Sequence, residues 1–258
     1  GHGANILDAD QHTDPIAGQF FQRVHVDLAE MHTDRVALER GIAEVAERFS
    51  MQWSLRYCGH RKRMALFVSR HDHCLYDLLL RHRAGEMACD ISFIVSNHPD
   101  LHPIASHFGI PFHVFPITTE TKCAQEEREM ALLKTENIDL VVLARYMQIL
   151  SAGLISQFPA RIINIHHSFL PAFIGSKPYH QAHQRGVKLI GATAHYATTD
   201  LDEGPIIEQD VIRTSHRDSP DDLVRKGRDV ERNVLARAVR WHLDDRVLVY
   251  GNKTIVFE

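Results

Sequence analysis

The sequence predicts an α/β protein, a Rossmann-like, mostly parallel sheet with helices on both faces, preceded by a smaller module of a different pattern. Three observations carry this. Short apolar runs at residues 64–69, 91–96, 112–116, 140–144 and 162–166 are continuous rather than alternating, as in strands buried on both faces. Helical stretches such as 126–136 lie between them, and strands separated by helices build parallel sheets. Before residue 64 the pattern changes to alternating, half-buried strands around a single amphipathic helix.

Taken in order, Gly1-His2-Gly3-Ala4-Asn5 is expected to be the end of a helix with glycine at its stop, and the native protein is expected to carry residues before Gly1. Residues 6–12 and 19–28 follow as strands, the second alternating apolar and polar, with Asp14-Pro15 and Gly18 as the turn. Asp34 is placed to cap a helix whose apolar stripe is Leu38, Ile42, Val45 and Phe49. Residues 52–57 then return as a strand. Helix end, strand, strand, helix, strand is most of a βαββαβ unit. The first 58 or so residues resemble an ACT module, a small-ligand regulatory domain, lacking its first strand and most of its first helix. A ferredoxin-like dimerisation module with no ligand fits equally well. Residues 58–63, polar and basic, read as a linker, so the expected domains are 1–60 and 64–258.

In the larger domain, the loop after the first strand, Arg70-His71-Asp72-His73-Cys74, has no glycine. Neither a GxGxxG turn nor a P-loop occurs, so the usual phosphate-cradling turn is missing. Residues 190–198 form a further strand, 199–205 an acidic loop, and 206–212 the returning strand of a hairpin-like extension. Ser219-Pro220-Asp221-Asp222 starts a long helix with serine as N-cap, and Leu223, Val230, Val234 and Trp241 mark its buried side. Residues 247–250 and 254–257 around Gly251-Asn252 close the chain as a hairpin.

Composition excludes several classes. The 258 residues are 44% hydrophobic and 24% charged, with a formal net charge of -4 and no basic block, which argues against nucleic-acid binding. No apolar run approaches the roughly 20 residues that span a bilayer, and no signal-peptide pattern opens the chain. Cys58, Cys74, Cys89 and Cys123 are widely spaced with no CxxC pair, as expected of reduced thiols in a cytosolic protein.

The chemistry concentrates after residue 160. Residues alternate faces along a strand, so Asn164 and His166 point the same way at the carboxyl end of a core strand, where open α/β sheets bind ligands. An amide and an imidazole there can hold an oxyanion and move a proton. A polar strand end bonded to its neighbours explains the same residues, and the local sequence alone slightly favours it. An acid from the loop after the next strand completes the set, but spacing does not choose among Asp200, Asp202 and Glu203. Tyr146, Met147, Gln148, Ile149 and Leu150 follow another strand to the same edge and can line a pocket for a flat ligand. A metal site from His71 and His73, His166 and His167, or His180 and His183 lacks any fixed ligand spacing. Ser168 lacks a nucleophile-elbow GxSxG, and Cys74 reads as a helical core thiol rather than an activated one.

Asn164-Ile165-His166-His167-Ser168-Phe169-Leu170-Pro171 resembles the N-x-H-x-S-x-L-P signature of enzymes that transfer or hydrolyse the formyl group of 10-formyltetrahydrofolate. Residues 191–205, ending Leu201-Asp202-Glu203-Gly204-Pro205, resemble their second signature, and the match continues through Phe173-Ile174-Gly175 and Pro178-Tyr179-His180-Gln181-Ala182. With the N-terminal module, the whole chain resembles the formyltetrahydrofolate deformylase family. The resemblance implies a formyltransferase fold. It implies Asn164, His166 and Asp202 as catalytic residues, Met147, Gln148, Ile149 and Leu150 at the pterin, and Thr198, Asp200 and Leu201 in the loop closing over the folate. It implies hydrolysis to tetrahydrofolate and formate, which balances the one-carbon pool and supplies formate for purine biosynthesis. Water is the acceptor, and neither cofactor nor metal is needed. It further implies a cytoplasmic homo-oligomer, a tetramer, with an amino-acid effector at the ACT module in some members. Two features depart from the related glycinamide ribonucleotide transformylases: residues 69–74 replace their glycine-rich phosphate loop, and Gln148 stands where they usually have arginine. The rival readings are a formyltransferase with another amine acceptor and a folate- or amino-acid-binding regulator without turnover.

Overall fold

The computed structural model describes residues 2–172 and 178–258, so Phe173, Ile174 and Gly175 of the signature lie outside the described residues. The chain divides into two units, Gly1–His60 with Phe257–Glu258, and Arg61–Val256.

The first unit pairs strands β1 (Asn5–Asp14) and β2 (Gln19–Asp27) antiparallel and follows them with helix α1 (Arg35–Arg48). The Asp14 carboxylate closes the turn by accepting from the backbone N–H groups of Ile16 and Ala17. Asp34 caps α1 by accepting from Ala37 N at 2.7 Å. Three expectations are corrected. Gly3 has the left-handed φ of 79° that a helix stop uses, but no helical turn lies among the described residues there, and the chain leads straight into β1. The buried residues of α1 are Leu38 and Ala46, one stripe at i and i+8, while Val45 and Phe49 are 51% and 63% exposed. Residues 52–57 are not a strand, because no strand among the described residues lies beside them to supply a ladder partner.

The second unit begins with β3 (Lys62–Val68), so Lys62 and Arg63 belong to the sheet and not to a linker. Lys62 Nζ donates to the carbonyls of His242 and Leu243, and Arg63 donates to the Glu136 carbonyl, which fixes the strand's entry. The elements that follow are α2 (His73–Arg83), β4 (Cys89–Ser96), α3 (His102–Phe108), β5 (Phe112–Val114), α4 (Lys122–Thr135), β6 (Leu140–Leu143), α5 (Ala152–Gln157) and β7 (Ile162–His166). Then come α6 (Pro178–Arg185), β8 (Leu189–Tyr196), β9 (Ile206–Arg213), α7 (Pro220–Leu243), β10 (Val247–Tyr250) and β11 (Lys253–Val256). Seven strands form one sheet in the order β5-β4-β3-β6-β7-β8-β9. The pairs from β5 to β7 are parallel, and β8 and β9 are antiparallel additions. The central strands are sealed on both faces: Met64, Leu66 and Val68 pack in one core, and Ala65 and Phe67 in the other.

Helix α7 covers one face. Ser219 and Asp222 form a reciprocal capping box, and Leu223, Val230, Val234, Leu235 and Val239 are buried. Arg237 ties it to β9 through Glu208 at 2.7 Å and Asp210 at 2.9 Å.

The loop from β8 to β9 is pinned where Gly204 crosses Tyr196. A Cβ added at Gly204 would stand 1.8 Å from the Tyr196 carbonyl oxygen, a backbone atom that cannot step aside. Gly204→Ala is therefore expected to cost about 1–3 kcal/mol, as overpacking does. A urea titration measures it, and an unchanged midpoint contradicts the crossing.

Candidate active site

β7 ends at the carboxyl edge of the parallel strands, and its alternation places Asn164 and His166 on one face. β8 runs antiparallel beside it in a register that sets His195 opposite Asn164. The Asn164 amide nitrogen lies 3.1 Å from His195 Nε2, and His195 Nδ1 lies 3.0 Å from the Tyr196 carbonyl. A carbonyl only accepts, so Nδ1 carries a proton, and in the neutral ring Nε2 accepts from the Asn164 amide. A register shift between Ala194 and His195, against β9, lies at this point, and bulges commonly re-aim side chains beside active sites.

The acidic loop delivers one of its three acids. Asp202 takes a left-handed φ of 58° and turns its carboxylate inward. Its Oδ2 lies 3.2 Å from His166 Nδ1 and its Oδ1 lies 3.7 Å from His195 Nε2, with 10% of the side chain exposed. Asp200 and Glu203 are exposed. Burial alone would raise the Asp202 pKa. The hydrogen bond from His166 outweighs that and holds the carboxyl well below the usual carboxylate range. With Nδ1 turned to Asp202, His166 keeps Nε2 buried and without a hydrogen-bond partner among the described residues.

Thr198, Asp200 and Leu201 lie on the same loop as Asp202, and residues 146–150 follow β6. Thr198 Oγ1 donates to the Asp200 carbonyl and shapes the loop, and Leu201 is exposed on it. Tyr146 is buried, its hydroxyl donating to Glu129 at 2.6 Å. Gln148, Ile149 and Leu150 line a small cleft with Ile117, Lys122 and Glu126, and Met147 and Ile149 are 57% and 58% exposed. Arg145 and Met147 take left-handed φ values of 65° and 60°, strain of the kind that clusters at functional sites. Ser168 Oγ donates to the Ala172 carbonyl, a turn contact rather than a nucleophile's. Thr193 braces the same turn: it donates to the Ser168 carbonyl and accepts from Leu170 N.

A second buried cluster lies beside the first. Glu231 on α7 is 1% exposed and accepts from His73 Nε2 at 2.8 Å and from the Tyr179 hydroxyl at 2.6 Å, and Arg145 Nε stands 3.6 Å away. Burial would raise this carboxyl, but the His73 hydrogen bond and the Arg145 charge hold it down to about 2. His73, Cys74 and Glu231 are close enough to share an ion. Their chemistry does not suit one: both Glu231 oxygens already accept, a guanidinium faces them, and burial pushes the Cys74 thiol well above its ordinary value. The His167 ring stands 5.4 Å from the His166 ring and 5.9 Å from the Tyr179 ring, and burial, with the Arg145 charge, lowers its pKa to about 3. The sequence reading missed His195, Arg145 and Glu231. His195 and Glu231 each left a signal, a polar residue set among buried positions of a strand and of a helix.

Comparisons with known proteins identify the family. The family profile described as formyl transferase matches residues 62–239. A formyltetrahydrofolate deformylase of Synechocystis sp. is 59% identical over 98% of this chain and 89% of its own. The crystal structure of a formyltetrahydrofolate deformylase from Pseudomonas syringae pv. tomato superposes with a TM-score of 0.96 at 48% identity, covering 100% of this chain and 86% of that one. A glycinamide ribonucleotide transformylase from Symbiobacterium toebii superposes at 0.74 with 29% identity, over 80% of this chain and 99% of its own. The chain has the formyltransferase fold and belongs to the formyltetrahydrofolate deformylase family.

Proposed function

We propose that this chain hydrolyses 10-formyltetrahydrofolate to tetrahydrofolate and formate, with Asn164, His166 and Asp202 as its catalytic residues. The observation that carries this is the His166–Asp202 pair, 3.2 Å apart, beside the Asn164 amide and with His166 Nε2 left unpartnered among the described residues. Water is a poor nucleophile at neutral pH, so a base must take its proton as it attacks the formyl carbon. A carboxyl as acidic as Asp202 is a weak base by itself. Its part is to accept from His166 Nδ1, which leaves Nε2 as the nitrogen that takes the proton, and to face the imidazolium that forms. The imidazolium then faces the oxyanion. The Asn164 amide has two N–H groups, and with one directed to His195 the other is available to the same oxyanion. Collapse breaks the bond between carbon and N10, and the proton passes to N10 as tetrahydrofolate leaves. Met147, Gln148, Ile149 and Leu150 border the pterin, and Thr198, Asp200 and Leu201 belong to the loop that closes over it. No cofactor or metal enters any step.

We extend the proposal to the first unit as an ACT-like module that joins subunits of a homotetramer and takes an amino-acid effector. Its support is the β1–β2 pair followed by α1, with Ile6 and Leu7 exposed at one end of the hairpin and Phe20 at the other. A cytoplasmic location and a supply of formate for purine synthesis complete the reading. No helix among the described residues is long and apolar enough to cross a membrane.

General acid–base help is worth roughly 10²- to 10⁴-fold and a single oxyanion donor about 10²- to 10³-fold. Asp202→Asn and His166→Ala should each lose several orders of magnitude in kcat while still binding folate, and chelators should leave the wild type unaffected. Near-normal kcat in either variant sinks the assignment. The depressed Asp202 pKa also makes a stability prediction. The unfolded carboxyl titrates near about 3.9. The stability difference between wild type and Asp202→Asn should therefore shift against the wild type as pH falls from about 4 through the range of the folded carboxyl. Thermal melts across that range measure it, and a pH-independent difference contradicts the ion pair. For the first unit, light scattering should give four chains per particle, and one or more amino acids should change formate release. A monomer indifferent to all of them rules the extension out.

A further inference from the structure

Sheets of this kind bind ligands where the strand order reverses, at the carboxyl ends of the two strands that flank the reversal. Here the reversal falls between β3 and β6, since β3 is followed outward by β4 and β5 on one side while the chain returns to β6 on the other. That crevice is walled by the loop that ends at His73 and by the loop that begins at Arg145. Both walls reach the same atom: His73 Nε2 is 2.8 Å and Arg145 Nε 3.6 Å from Glu231 Oε2. The Tyr179 hydroxyl closes on the other carboxylate oxygen. The helix is shaped to admit that phenol. Gly227 lies one turn before Glu231 on α7, and a Cβ there would stand 2.1 Å from the Tyr179 oxygen. All four network residues are buried. Through His167, whose ring lies between those of His166 and Tyr179, the filled crevice adjoins the reacting centre.

We propose that the Arg145–Glu231–His73–Tyr179 network occupies the space in which an amine acceptor would have to stand, and so determines that water receives the formyl group. The inference rests on the hydrolytic reading above. A competing primary amine is a better nucleophile than water, so a hydrolase must keep it from the near-attack distance of about 3–3.5 Å. Side chains in the acceptor crevice do this while water, which needs far less room, still enters. The alternative reaction is balanced without a co-reactant: the amine nitrogen bonds to the formyl carbon, the bond from that carbon to N10 breaks, and one proton passes from the amine to N10.

The test measures product partition in the full chain. Arg145→Gly opens the crevice without backbone strain, because Arg145 has a left-handed φ of 65° that glycine adopts freely. His73→Ala opens the opposite wall and serves if the first variant does not fold. Each protein is given 10-formyltetrahydrofolate with glycinamide as the primary-amine probe, and formate and N-formylglycinamide are quantified together. The wild type should form formate alone. The variants should continue to release formate while the ratio of formylated amine to formate rises at least about tenfold, the lower end of steric discrimination by a pocket. Folded variants that release formate with no change in the ratio overturn the inference and leave the hydrolytic reading standing, as does a wild type that already formylates the amine as fast as it makes formate. A wild type that releases no formate under any condition overturns the hydrolytic reading itself.

Discussion

A carboxylate set among imidazoles at the edge of a sheet is the interaction on which the site depends. Asp202 is largely withdrawn from water, and what keeps it charged there is His166 at 3.2 Å. The pairing makes demands on the surrounding fold. Asp202 reaches inward only because its backbone accepts a φ of 58° and because Gly204, two residues on, passes hard against Tyr196. His166 is held by a strand sealed between two cores, and Asn164 by the cross-strand contact to His195. The antiparallel β8 and β9 extend the parallel sheet on the side that carries this loop, so the extension is what brings an acid to the end of β7.

Much of this was legible in the amino-acid order, and the parts that were not share a cause. Continuous apolar runs mark strands buried on both faces, so the parallel sheet and the common direction of Asn164 and His166 follow from local pattern alone. Asp202 does not. Three acids in one short loop are equivalent by spacing, and the choice depends on which backbone can turn inward, a tertiary property; family resemblance, not periodicity, singled it out. His195 sat in the sequence as one polar residue in a buried strand, and only the register of β8 against β7 gives it a partner. Glu231 falls at a core position of α7, between the buried Val230 and Val234, and a charge at such a position signals a buried partner that the sequence does not name. Residues 52–57 have the composition of a strand but not the neighbour, and a strand exists only with its ladder.

Two buried carboxylates, differently employed, give the molecule its chemical character. Asp202 faces the imidazoles of His166 and His195. Glu231 accepts from His73 on α2 and from Tyr179 on α6, with the Arg145 charge 3.6 Å away. The same physical rule, that a charge withdrawn from water must be paired, governs both.

The central claim is that the His166–Asp202 pair directs water at a formyl carbon. The most direct measurement is turnover of 10-formyltetrahydrofolate by the wild-type chain in 18O-labelled water with no amine present. The account predicts sustained release of formate and tetrahydrofolate in equal amounts, each formate carrying one oxygen from the solvent. Formate that appears only when an amine is supplied, or that carries no solvent oxygen, contradicts it.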